Sequence, residues 1–182
     1  MDDKRFFVDV FSTIVADVRS TWDTVNVPVE TPYYEHDHPK NIASLLNEKN
    51  NNSTLKYKKY PLIALLEDFK QTKGIYDYQY SVDCTALILN PSKIDYYSEE
   101  RYTNNIKTVI YPIYELLITA IYNSVDVSTR SRASIEHDLF IRTNWGKEGI
   151  YGNEGLIFSD FLDGIQIDFR TLKIINNKCR NY

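Results

Sequence analysis

The sequence predicts an α+β fold, a mainly antiparallel sheet of about four strands with two long amphipathic helices packed on one face. Three observations carry this. Apolar residues recur at helical spacing near the start of the chain and again over residues 98–123. Residues 76–88 alternate apolar and polar with a period of two, and short apolar runs appear at 60–66, 139–141 and 165–169.

In the first helix, Phe7, Val10, Phe11, Ile14, Val18 and Trp22 form one stripe, with Lys4, Asp9, Asp17 and Arg19 elsewhere. That spacing predicts a helix over about residues 3–23. Residues 24–40 are polar, and Pro28, Pro32 and Pro39 favour an extended path. Ile42, Leu45 and Leu46 predict a short helix ending at Asn50-Asn51-Asn52-Ser53.

The run Tyr60-Pro61-Leu62-Ile63-Ala64-Leu65-Leu66 predicts a buried strand, with Pro61 tolerable only at its start. Tyr76, Tyr78, Tyr80, Val82, Cys84, Ala86 and Ile88 share one face of the next strand; Asp77, Gln79, Ser81, Asp83 and Thr85 share the other. The short link through Lys73-Gly74 predicts an antiparallel hairpin. Tyr102, Ile106, Val109, Ile110, Ile113, Leu116, Leu117, Ala120 and Ile121 line one face of the second long helix. Ser98 is its expected N-cap, and Glu99 and Glu100 suit the positive end of the dipole. Pro112 should kink this helix near Thr108 without ending it, since the stripe continues in register through Ile121. Residues 124–134 read as a mobile loop and 145–155 as a glycine-rich one. A helical turn is expected at 156–162, before the last strand.

The 182 residues suit a single domain. It divides into an N-terminal helix (1–23), an extended and variable region (24–53), an α+β core (54–176) and a tail (177–182). Fifteen tyrosines set against six glycines and six prolines are unusual. Tyrosine joins an apolar body to a polar tip, which suits surfaces that are wet alone and buried in an assembly. A formal charge of −4 argues against a dedicated nucleic-acid binder. Cys84 and Cys179 have no metal-ligand spacing, consistent with reduced thiols. Residues 1–5 do not read as a signal peptide, and no apolar run reaches the ~20 residues needed to cross a bilayer.

Catalytic templates fit poorly. Glu35-His36-Asp37-His38 holds metal-ligand types but falls between prolines, far in sequence from His137, and reads as a solvated loop. Gly146-Lys147 with later glycines lacks the order of a phosphate-binding loop. Glu67-Asp68, Asp68-x-Lys70 and Asp83 make a weak case for a metal-dependent nuclease, which needs several carboxylates converging on one ion. No nucleophile-elbow or Ser-His-Asp pattern is present. The reading is a chain with no catalytic residues, cofactor or metal.

Three sequence blocks look familiar. They are Tyr60-Pro61-Leu62-Ile63-Ala64-Leu65 with Glu67-Asp68-Phe69; Glu99-Glu100-Arg101-Tyr102 with Tyr111-Pro112-Ile113-Tyr114-Glu115; and Trp145-Gly146-Lys147-Glu148-Gly149-Ile150-Tyr151-Gly152-Asn153 with Phe158-x-Asp160-Phe161-x-Asp163. Together they resemble small proteins of tailed phages of gut Bacteroidetes, including crAss-like phages, and through them ring-forming neck and tail-terminator subunits. The resemblance implies a virion protein assembled in the host cytoplasm. It implies a homo-oligomeric ring that touches neck, portal or tail proteins and lets DNA pass without sequence recognition. Trp145 and Tyr151 are then expected at the subunit interface, and Arg130 and Arg132 near DNA in the lumen. The alternatives are a monomeric soluble adaptor and, less favoured, the nuclease.

Overall fold

The computed structural model describes residues 6–22, 30–73, 79–93, 95–145 and 160–175. Every element in them is organised by β4 (Gln79–Pro91), the strand expected from the alternating segment. β2 (Leu62–Leu66) and β3 (Lys70–Lys73) lie antiparallel along successive halves of one edge of β4, and β6 (Leu162–Ile175) lies antiparallel along the other. β1 (Tyr33–Asp37) runs parallel to β2, and β5 (His137–Trp145) antiparallel to β6. The strand order is β1-β2-β4-β6-β5, with β3 beside β4. All pairings but one are antiparallel.

α1 (Phe7–Thr21) and a long helix over residues 98–123 pack on one face. The expected stripe of α1 is buried, and it meets Ile63, Leu65, Val82, Ala86 and Ile88 from the sheet. Fully burying side chains of this size stabilises the fold by about 1.5–3 kcal/mol each. The long helix begins as α-helix at Ser98–Arg101, widens to π register over Tyr102–Ile110 and returns to α-helix over Tyr111–Asn123. It therefore continues through Pro112, as expected. The proline has no N–H to donate, and the turns before it are i→i+5: the Tyr111 N–H bonds to Ile106 O. The disturbance expected near Thr108 takes the form of a widened register.

Three features correct the sequence expectation. The sheet has six strands, since β1 and β3 were not anticipated. Glu35, His36 and Asp37 lie on β1, a strand rather than a loop, and His38 caps the next helix. The short helix expected to end at Asn50 is α2 (Pro39–Asn50), but it packs Ile42, Ala43 and Leu46 on the opposite face of the sheet, against Leu62, Ala64, Leu66, Leu87, Leu89 and Leu162. Helices thus cover both faces. β1, α2 and β2 form a crossover unit, because joining parallel strands requires chain to pass over the sheet. The last strand also starts earlier and ends later than expected, taking in Leu162 from the anticipated helical turn.

β6 carries a bulge where Arg170 and Thr171 oppose the single residue Asp83. Thr171 has φ of 55°, and its N–H donates to Asp83 Oδ1 at 2.8 Å. Further along, Gly164 lies against β4 so closely that a Cβ would stand 2.7 Å from Ile88 O and 2.6 Å from Leu89 Cδ2. The backbone carbonyl cannot give way cheaply. Gly164→Ala should therefore destabilise the protein by about 1–3 kcal/mol, the scale of core overpacking, read as a fall in Tm of several degrees in a thermal melt.

Candidate interaction surface

Side chains that could carry chemistry are mostly committed to holding the fold. At the end of the sheet where β4 finishes and β6 starts, Asp163 is fully buried. Arg101 Nη1 donates to Asp163 Oδ1 at 3.1 Å, and Asn105 Nδ2 donates to Oδ2 at 3.2 Å. The same guanidinium donates to Ser92 Oγ, Lys93 O and Tyr96 O. Asn90 Nδ2 donates to Asn105 Oδ1 at 2.8 Å. This network ties the start of the long helix to β4 and β6.

Asp160 makes a second knot. It accepts from Lys59 Nζ at 2.6 Å, the Tyr60 hydroxyl at 3.0 Å and Asn50 Nδ2 at 3.3 Å. Partial burial alone would raise its pKa, but these donors overcome that and hold the carboxyl below its ordinary value. Burial and the Asp160 charge push the Tyr60 hydroxyl far up. Arg101, Tyr60, Asp160 and Asp163, each a polar residue of one of the three sequence blocks, are thus engaged in contacts that hold the fold.

The nuclease candidates do converge, but on a surface without a metal geometry. Asp68, Asp83, Asp138 and Asp168 line a concavity of about 560 Å³ with Lys70 and Arg170. Asp83 is spent on the Thr171 bulge, and Asp138 pairs with Arg170. Asp168 accepts from Thr85 Oγ1 at 2.7 Å and Gln166 Nε2 at 3.0 Å. Among the described residues no group of three His, Cys, Asp or Glu side chains could hold a metal ion. His36 Nδ1 lies 2.7 Å from Glu67 Oε1, while His38 Nδ1 accepts from Lys40 N, so the two rings serve separate contacts. Burial raises the Cys84 thiol well above its usual range, leaving it unreactive.

The sheet edges differ sharply. β1 is short, carries Glu35, His36 and Asp37, and stands between Pro32 and Pro39, the usual protections of an exposed edge. β5 is longer and has Leu139, Phe140 and Ile141 in sequence, 37%, 38% and 50% exposed. Alternation puts Leu139 and Ile141 on the face of the long helix and Phe140 on the other, where the Arg142 guanidinium sits 5.1 Å from its ring centre.

On the helix-side face the apolar strip continues. Tyr114 reaches His137 Nε2 at 2.8 Å, and Tyr111, itself 43% exposed, lies tilted against Tyr114 with ring centres 5.3 Å apart. His137 Nδ1 faces Ile135 O, which can only accept, so in the neutral ring Nε2 is left to accept from Tyr114. Sequence reading found β5 but not its exposure. The signal available was three consecutive apolar residues, one more than a half-buried strand can hide on a single face.

The expected interface and lumen residues fall as follows. The backbone of Trp145 pairs with Leu162 at the end of β5; its side chain lies outside the described residues, as do Tyr151, Cys179 and the Gly146-Lys147 segment. Arg132 lies against the long helix, donating to Glu115 Oε2 at 2.6 Å. Arg130 lines a separate concavity beside β6. The two arginine side chains thus face different neighbours. Residues 124–134 form turns and a 3₁₀ segment at Arg132–Ser134. No described helix is long and apolar enough to cross a membrane. Comparison with protein-family models and with curated proteins gives no match to either.

Asp160 supplies a pH test. A carboxyl lowered by folding adds stability that is present above its unfolded value, about 4, and is lost as pH falls through the lower folded value. Asp160→Asn should lower Tm at pH 7 and reduce the further loss of Tm on acidification below pH ~4, measured by circular dichroism melts.

Proposed function

We propose that this chain is a non-enzymatic assembly subunit that associates with copies of itself through the β5 edge and serves in a ring of the neck or tail-completion region of a tailed phage. The observation that carries the reading is the exposed Leu139-Phe140-Ile141 edge, continued by Tyr111 on the helix beside it. An edge strand offers unpaired backbone donors and acceptors, and adjacent apolar side chains supply the buried area that makes strand addition stable. The abundance of tyrosine fits surfaces that alternate between water and a partner. The resemblance of the three sequence blocks to phage neck and tail-terminator proteins supplies the biological setting: a virion protein assembled in the host cytoplasm, contacting portal or tail neighbours, with DNA passing through.

Geometry constrains how such a subunit could close. Two β5 edges paired antiparallel obey a two-fold axis and stop at a dimer. A ring needs β5 to meet a different surface of its neighbour, so that rotation closes the circle. In this reading Trp145, on the same strand, and Tyr151 both belong to the contact. Of the carboxylates a nuclease would use, Asp83 is bonded to the Thr171 N–H and Glu67 to His36.

Analytical ultracentrifugation, alone and with neighbouring neck proteins, tests the proposal. The wild type should populate species larger than a dimer. Phe140→Glu and Ile141→Glu should shift it to monomer with unchanged circular dichroism and a Tm within a few degrees. Trp145→Ala should weaken association in the same direction. A wild type that stays monomeric throughout would favour the soluble adaptor. Metal-dependent DNA cleavage lost in Asp68→Asn or Asp83→Asn would restore the nuclease.

A further inference from the structure

The segment between the long helix and β5 is tied to β6 at two places and departs from it between them. At one tie Val127 bridges Ile174, the Ser128 N–H donates to Lys173 O at 2.7 Å, and Ile175 N–H donates to Asp126 O at 2.8 Å. At the other, Arg170 N–H donates to Glu136 O at 2.9 Å as β5 begins. Residues 129–135 are more chain than the gap on β6 needs, so they bow outward. Ser134 Oγ holds the bow, accepting from Arg130 N and Ser131 N and donating to Ser131 O.

Beneath the bow is a concavity of about 600 Å³. Its charged lining comprises the cations Arg130, Arg170 and Lys173 and the anion Glu136. Arg170 is shared with Asp138 on β5. Arg130 and Lys173 have no carboxylate partner among the described residues. In a chain of net charge −4, two cations left unpaired beside a third are a local reversal of sign. Ser128, also in the lining, adds a hydroxyl donor. The volume falls within the range of small-ligand clefts.

We propose that this cradle binds the oxyanion of a phosphate group, carried either by a nucleic-acid backbone or by free phosphate. Arg130 and Lys173 are the principal ligands, Arg170 contributes while shared with Asp138, and Glu136 limits the affinity. Guanidinium forks match phosphate oxygens bidentately, and a lysine ammonium adds a point charge. Arg132 has no part, being held by Glu115. The site is separate from the Leu139–Ile141 edge, so it stands or falls independently of assembly.

The test is an NMR titration of the full chain, in the association-deficient Ile141→Glu background if needed, with inorganic phosphate and, separately, a short DNA duplex of mixed sequence. Amides of residues 128–136 and 170–173 should shift on addition of phosphate, of duplex, or of both. Arg130→Gln with Lys173→Gln should weaken binding about tenfold or more, the scale of losing one charge-assisted contact, while Arg132→Gln should leave it unchanged. Binding by the duplex that falls steeply with salt identifies the backbone as the source; binding by phosphate alone identifies the free ion. The proposal is overturned if neither ligand shifts these amides, if the shifts lie elsewhere, or if the double variant binds like the wild type.

Discussion

The long pairing of β4 with β6 is the constraint on which the rest of the structure depends. β4 spans Gln79–Pro91 and keeps β6 beside it for nearly its whole length, with one bulge at Asp83. A strand this long has more edge than its other partner can fill, so β2 and β3 divide it between them. Its two faces also differ. Val82, Cys84, Ala86 and Ile88 face α1 and the long helix, whereas Leu87 and Leu89 face α2. The half of the second face near Ser81, Asp83 and Thr85 has no helix over it among the described residues and is correspondingly polar.

Two carboxylates, Asp163 fully buried and Asp160 partly so, lock the end of this sheet. Removing a partner from a buried ion pair costs about 3–5 kcal/mol, because it leaves an uncompensated charge. Asp163 and Arg101 are placed to carry such a penalty, with Asn105 and Ser92 completing their hydrogen bonds. Asp160 joins α2, the approach to β2 and the start of β6 through Asn50, Lys59 and Tyr60. These polar residues thus have a structural task without doing chemistry. They specify which elements meet.

With these side chains committed to the fold, two surface features remain unspent, and they point outward in different ways. The β5 edge offers apolar area and backbone hydrogen bonds, which suits a protein partner. The concavity under residues 129–135 offers unpaired cations, which suits an oxyanion. A subunit lining a passage for DNA would have use for both, one to join its neighbours and one to meet the passing charge.

Legible in the amino-acid order alone are the periodic elements, namely α1, the short helix α2, β2, β4, the long helix, β5 and the core of β6, together with the α+β class. Each repeats apolar residues at the period of its own backbone, so burial and local geometry agree. The helix through Pro112 was readable for the same reason, since Ile113, Leu117 and Ile121 keep the stripe in register.

Only the tertiary structure decided the remainder. Tyr33–Asp37 and Lys70–Lys73 have no apolar alternation, and they are strands because β2 and β4 offer them open edges. Leu87 and Leu89 reveal a second covered face only once α2 is placed over them. The polar contacts of Asp160 and Asp163 join residues far apart in the chain, as does the charge reversal formed by Arg130, Arg170 and Lys173. Arg130 and Arg132 are near neighbours in sequence, yet one enters the cradle and the other is drawn to Glu115. Spacing along a turn does not determine direction; the surfaces available to each side chain do.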